Sequence, residues 1–290
     1  MLEAVPNVSE GRDNAVIEAV GRAFAGDAAL LDVHSDADHH RSVYTLAGDA
    51  PSLVEALLSG ISEARALVDL RAHSGVHPRI GAVDVVPLVP ILTGDMEAAK
   101  TAALEVAARV GAELTLPVFL YGEVGYGRRP AFFRRGGLEA LRRRVEEEEL
   151  APDAGPSRLD ARFGAVLVGA RRPLVAYNVD LSTDDVAAAR DIAAAIRESG
   201  GGMPGVQAIG LHLPRSGRVQ VSMNLLDVER SPLHEVVERV SREAAARGIA
   251  VSGGELVGLV PERVFDDATA AGVRVPGVDE SRVLERALGI

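Results

Sequence analysis

The chain contains neither cysteine nor tryptophan. Without cysteine there can be no disulfide, thiolate nucleophile, iron–sulfur cluster or cysteine-ligated zinc. Aromatic residues make up only 3% of the chain, so a core must be assembled from Val, Leu, Ile and Ala. Lysine is nearly absent as well: Lys100 stands alone, and almost all positive charge is arginine, whose planar guanidinium grips carboxylates with two parallel donors. No apolar run approaches the roughly 18 residues of a membrane-spanning helix, so none is expected. The opening Met1-Leu2-Glu3-Ala4-Val5-Pro6 has neither a basic region nor a long apolar stretch, which predicts no signal peptide and a cytoplasmic protein. Acidic residues outnumber basic ones, 42 to 31, and the formal charge of −11 argues against general binding to nucleic acid or an anionic membrane. It leaves room for an anionic small molecule, because a few placed arginines outweigh distant charge over a short gap.

What is present suits a soluble globular protein. The chain is 47% hydrophobic and 25% charged, and its 290 residues suffice for one large domain or two of ordinary size. Apolar runs and helical patterns alternate. Residues 2–8 read as a strand, 14–25 as a helix, 29–34 and 42–47 as strands. Asp49-Ala50-Pro51 opens a helix to about residue 68, and 82–89 is another strand. A helix over 95–110 and a strand over 117–121 extend this β-α-β-β-α-β order. The second half repeats it: strand 174–179, helix 183–198 closed by Gly200-Gly201-Gly202, strands 206–213 and 218–224 joined through Pro214-Arg215-Ser216-Gly217, a helix from Ser231-Pro232 to about Gly248, and a strand over 249–259. Residues 266–271 and 281–288 read as short helices. Local echoes, such as Pro6-Asn7-Val8-Ser9 against Tyr177-Asn178-Val179-Asp180, fall at matching places in the two halves. The expected class is α+β. It comprises two ferredoxin-like subdomains in tandem, 1–172 and 173–290, each with helices on one face of a mainly antiparallel sheet, and a ligand cleft between them.

Chemistry concentrates in Gly75-Val76-His77-Pro78-Arg79-Ile80-Gly81-Ala82-Val83-Asp84. Gly75, Pro78 and Gly81 forbid a long helix and predict a stiff loop entering a strand, where an imidazole can be held in a fixed place to gain and lose a proton. A turn with a solvated His and Arg is the competing reading. A second cluster, His34-Ser35-Asp36-Ala37-Asp38-His39-His40-Arg41, joins two strands; an exposed loop is its plain alternative. Its histidines match no zinc spacing, and Gly75 and Pro78 spoil the helix that would align His73 with His77, so no metal is expected. Gly122-Glu123-Val124-Gly125-Tyr126-Gly127 is not a dinucleotide fingerprint, though Glu123 stands where a strand ends.

The ordered set Val5-Pro6-Asn7-Val8-Ser9-Glu10-Gly11, Asp36-Ala37-Asp38-His39-His40-Arg41-Ser42-Val43, the segment from Gly75 to Asp84, Tyr121-Gly122-Glu123, Pro152-Asp153-Ala154-Gly155-Pro156-Ser157, Gly169-Ala170-Arg171 and Gln207-Ala208-Ile209-Gly210 resembles the glutamate formiminotransferase family in its stand-alone form, without a cyclodeaminase domain. That resemblance implies transfer of the formimino group from N-formimino-L-glutamate to tetrahydrofolate, giving glutamate and 5-formiminotetrahydrofolate, a step of histidine degradation and one-carbon metabolism. It implies tetrahydrofolate as cosubstrate, no metal, and a homodimer. The catalytic histidine falls on His77, and the folate-binding loop on Gly155-Pro156-Ser157-Arg158-Leu159-Asp160-Ala161-Arg162-Phe163-Gly164. Beside these, Asp36, Asp38 and Asp84 are candidates to stabilise a cationic amidine, Arg41 and Arg79 to fork onto the glutamate carboxylates, and Asn7 and Glu123 to bind substrate. Formyl transfer from N-formylglutamate and a non-catalytic folate-binding paralogue are the alternatives.

Overall fold

A computed structural model describes residues 1–91 and 96–290. Two compact units divide it, Met1–Arg172 and Pro173–Ile290. In the first unit the strand expected over 2–8 is broken into β1 (Leu2–Ala4) and β2 (Asn7–Val8). Pro6 has no N–H to give to a ladder, and the register on one side shifts between Asn7 and Val8. Helix α1 (Asn14–Ala25) starts where Asp13 accepts from the Ala15 and Val16 amides. The polar connection between β3 (Ala29–Asp36) and β4 (Arg41–Gly48) is tighter than expected, since the strands run on through Asp36 and begin again at Arg41. Helix α2 (Ala50–Leu67) carries the Asp49 cap and its early proline as read. After it come β5 (Val83–Pro90) and α3 (Met96–Glu113); the helix start expected at Asp95 lies outside the described residues.

Beyond that point the reading needs correction. β6 (Val118–Gly122) is followed by two short helices, α4 (Pro130–Arg134) and α5 (Gly137–Glu146), and by a strand the sequence pattern did not reveal, β7 (Val166–Ala170). The sheet order is β3, β4, then β1 and β2, then β5, β7, β6. Pairs among the first strands are antiparallel, but β5–β7 and β7–β6 are parallel. This extension is covered on both faces. Val166 and Val168 join Leu57, Val106 and Val110 of the helical layer, whereas Leu167 and Phe119 pack with Phe133 and Leu141 of the short helices. A strand buried on both faces shows no polar alternation, which is why β7 left no period-2 signal.

The second unit contains β8 (Val175–Leu181), α6 (Val186–Ile196), β9 (Val206–Leu213), β10 (Arg218–Leu225), α7 (Leu233–Ala245), β11 (Val251–Val257), α8 (Glu262–Ala270) and α9 (Leu284–Leu288). Its antiparallel sheet runs β11, β8, β10, β9. The first strand thus lies between the third and the fourth, as β1 and β2 lie between β4 and β5 in the first unit. Apolar residues of β8, β10, α6 and α7 form its core, among them Tyr177, Val221, Ile192 and Val240. The tail helix expected over 266–271 begins earlier, at Glu262, directly after Pro261 at the N-cap. No described helix is long and apolar enough to cross a membrane.

One close approach in the first unit gives a direct test of packing. A Cβ on Gly60 of α2 would fall 2.0 Å from the ring of Phe24 on α1, and that ring is wholly buried. Gly60→Ala is expected to destabilise the protein by about 1–3 kcal/mol through overpacking, although alanine favours a helix by about 1 kcal/mol. Urea denaturation checks the sign.

Candidate functional site

Asp84, one residue into β5, has no exposed surface. Its Oδ1 accepts the Ile80 N–H at 2.8 Å, and its Oδ2 accepts from Arg41 Nη1 at 2.9 Å and from Arg134 Nη2. Burial alone would raise the carboxyl pKa; the Arg134 and Arg41 charges and the Ile80 amide outweigh it and hold the group ionised, below its ordinary range. Burial pulls Arg41 down to about 10, against the Asp84 charge, so it stays cationic at neutral pH. Its Nε donates to Asn7 Oδ1 at 2.8 Å, while the Asn7 amide donates to Val5 O at 2.7 Å. The break at Pro6 therefore has a use: it turns Asn7 to hold the guanidinium.

His77 lies against this group. Its Nδ1 is 2.8 Å from Pro78 O and 3.1 Å from Arg41 Nη1. A carbonyl can only accept and a guanidinium can only donate, so Nδ1 satisfies one of the two contacts and not both; the shorter one assigns the proton to Nδ1, donated to Pro78 O, while Arg41 Nη1 keeps its bond to Asp84. That leaves a lone pair on Nε2, which no described residue engages. Burial, then the charges of Arg41, Arg134 and His39, hold the His77 pKa well below the usual imidazole range. The ring is neutral at pH 7, with one nitrogen fixed as donor and the other ready to accept a proton.

Asn7, Arg41, His77 and Asp84 are thus brought together as a set. Arg79 feels the Asp84 charge but hydrogen-bonds elsewhere: its Nη2 donates to the backbone carbonyls Gly75 O at 2.8 Å and His77 O at 2.5 Å, and its Nη1 lies on His73 Nδ1. Asp36 and Asp38 shape the β3–β4 turn. Asp36 Oδ1 accepts the His39 N–H at 2.6 Å, Asp38 O accepts the Val76 N–H at 3.1 Å, and His40 takes a positive φ of 50°. Glu123 is exposed after β6, with its N–H on Ala170 O at 2.9 Å and Lys100 as the cation its charge acts on. No contact among the described residues joins it to the Asp84 group. Arg134 was missed; nothing in Pro130-Ala131-Phe132-Phe133-Arg134-Arg135 marks it except an arginine directly after a buried phenylalanine.

The loop 155–164 runs back to the same region. Gly164, at φ 78°, bridges Gly81, and Phe163 O accepts the Ala82 N–H at 2.8 Å. A Cβ on Gly164 would lie 2.0 Å from Ile80 O, so the close approach requires glycine. Two of the residues the resemblance assigns to folate are absorbed by packing: Leu159 and Phe163 are 3% and 2% exposed and sit in the apolar cores on the two faces of the β5–β7 pair. Arg158, Asp160, Ala161 and Arg162 are exposed; Arg162 donates to Ala66 O at 2.6 Å, and Asp160 Oδ1 accepts the Phe163 N–H at 2.6 Å. Among the described residues no three His, Asp or Glu side chains gather as a metal cage.

Comparison with known proteins adds two kinds of match. The family model described as the N-terminal subdomain of the formiminotransferase domain matches residues 1–171, and the one described as the formiminotransferase domain matches residues 176–274. A protein of Thermoplasma acidophilum named glutamate formimidoyltransferase is 39% identical over 99% of this chain and 96% of its own length. One of the same name from Streptococcus pyogenes serotype M1 is 38% identical, covering 99% and 98%. The formimidoyltransferase-cyclodeaminase of Gallus gallus is 44% identical over 92% of this chain but only 51% of its own length.

Proposed function

This chain belongs to the formiminotransferase family, and on that premise we propose that it is a glutamate formimidoyltransferase, passing the formimino group of N-formimino-L-glutamate to tetrahydrofolate. Both relatives of that name match nearly end to end, so the chain carries a transferase and spans only half of the formimidoyltransferase-cyclodeaminase it resembles. Each unit is read as a ferredoxin-like variant, a reading supported by the shared strand order.

The observation that carries the catalytic reading is His77, neutral, with Nδ1 tied to Pro78 O and Nε2 free beside the Arg41–Asp84 pair. The folate nitrogen attacks the formimino carbon and becomes cationic as the new C–N bond forms. A nitrogen in that state is far more acidic than the free amine, so a weak base suffices. His77 Nε2 takes that proton and returns it to the glutamate nitrogen as the old C–N bond breaks. Glutamate leaves protonated, and 5-formiminotetrahydrofolate remains. Arg41, whose Nε and Nη1 are held by Asn7 and Asp84, is a preset donor for a substrate carboxylate. Asp84 acts through Arg41: two guanidinium groups and an amide already take up its charge. Loop 155–164, laced to residues 80–82, is the folate-contacting segment in this reading, through Ser157, Arg158, Asp160 and Arg162 and its backbone rather than Leu159 or Phe163.

The test is direct. Purified protein mixed with tetrahydrofolate and N-formimino-L-glutamate is expected to release glutamate, with no added metal. Turnover with N-formylglutamate alone would make it a formyl transferase, and folate binding without turnover a binding module.

A further inference from the structure

Arg79 and His73 lie outside the set that holds Arg41 and Asp84, yet their bonds end on the His77 loop. The Arg79 Nη2 group donates to the carbonyls of Gly75 and His77, before and at the histidine. Its Nη1 meets His73 Nδ1, and His73 Nε2 in turn reaches His40 O at 2.8 Å. A guanidinium only donates and a carbonyl only accepts. His73 must therefore be neutral, with its proton on Nε2. The His40 ring stacks on His73 at 3.9 Å and 17°, and its Nε2 donates to Glu10 Oε1 at 3.0 Å. Glu10 Oε1 also accepts the amides of Gly11, Arg12 and Asp13 at 2.9, 2.7 and 3.0 Å. The loop is pressed against this support. A Cβ on Gly75 would lie 2.4 Å from His39 O, Val76 N–H bonds Asp38 O, and Arg12 Nη2 donates to Ser74 O at 2.7 Å.

We propose that Arg79 and His73 are positioning residues for this transferase, an internal clamp that fixes the carbonyls of the His77 loop on the Glu10–His40 support, rather than groups that bind substrate. The proposal rests on the transferase reading above. The chemistry of the surroundings agrees with it. Burial, then the Arg79 charge, hold the His73 pKa down to about 4; the His40 carbonyl and the Glu10 charge favour its protonation, and the charge of the His40 ring opposes it. His40 itself is lowered by burial, against Glu10, with Arg12 acting in the same direction as burial. Neutral rings are what the clamp requires.

The positions make a substrate fork and a clamp separable. Lysine cannot reproduce a planar fork that serves two carbonyls and a ring nitrogen. A catalytic group displaced by an ångström costs about 10²-fold in rate. In Arg79→Lys, kcat is expected to fall about 10–100-fold while KM for N-formimino-L-glutamate stays within about threefold. His73→Ala should behave alike, and His73→Asn, whose amide oxygen can accept from Arg79, should recover part of kcat. Imidazole ¹⁵N NMR of the substrate-free protein supplies a second reading: the His77 ring, protonated at Nδ1 in the parent, should show mixed tautomers in Arg79→Lys and His73→Ala. A tenfold or larger rise in KM with kcat retained in Arg79→Lys would make Arg79 a substrate fork and overturn the clamp. Unchanged His77 signals in both variants would overturn it too. An inactive parent protein would sink the transferase reading instead, while the NMR comparison would still decide the clamp.

Discussion

Replacing His77 by glutamine is expected to lower kcat about 10²–10⁴-fold, the usual worth of a positioned acid–base group, with little change in thermal stability. The ring belongs to none of the apolar cores, and glutamine can still donate to Pro78 O, so the lost quantity is the titrating Nε2. The same assignment fixes a pH profile. The group works as a base only when unprotonated, and burial with two nearby guanidinium groups holds its pKa well below 6.5. For the parent protein, kcat/KM, which reports the free enzyme, should be flat across neutrality and fall only well into the acid range. The His77→Gln variant should lack that acid limb. A parent profile that already declines as pH drops through 6.5 would mean the working base is another group; so would near-normal turnover in the variant.

How much of this could be read from residues follows from what each signal is made of. Asp49 announced α2 because a cap is a local contact between neighbours in sequence. Glycine and proline framing made the 75–84 loop legible for the same reason. The break at Pro6 needed only one more local argument: a missing amide cannot continue a ladder. β7 was different. All five of its residues are buried, and a run apolar on both faces has no period to read. The site divides along the same line. His77 and Asp84 are close in sequence and were found together, as was Arg41 through its resemblance-bearing neighbours. Arg134 joins them from 50 residues away, and its partner is decided by how α4 packs under β6. Arg79 was singled out as a fork for a substrate carboxylate, and the structure adds two loop carbonyls as its partners. A guanidinium suits a substrate carboxylate and a loop carbonyl equally well, and only folding shows that Gly75 and His77 turn their carbonyls toward it.

Asp84→Asn is expected to be the most damaging conservative change in the chain. Breaking a buried ion pair by removing one partner costs about 3–5 kcal/mol, because the surviving charge has no compensation. Here two charges survive. Arg41 and Arg134 have 12% and 16% of their side chains exposed, and both donate to the same carboxylate oxygen. An asparagine can keep the shape and an acceptor for the Ile80 N–H, but it leaves the guanidinium groups repelling each other in a poorly solvated place. The loss should appear in the urea transition of the first unit, identified by amide exchange in β5. Activity should fall with it, since Arg41 and the His77 ring lose their fixed neighbour. Removing one surviving charge separates the two effects. In Asp84→Asn combined with Arg134→Met, an apolar side chain of similar reach takes away half of the uncompensated charge. Much of the stability should then return while activity stays low. If Asp84→Asn alone costs under about 1 kcal/mol, the range of an exposed pair, then the carboxylate does not hold two buried cations, and the electrostatic account of His77 falls with it.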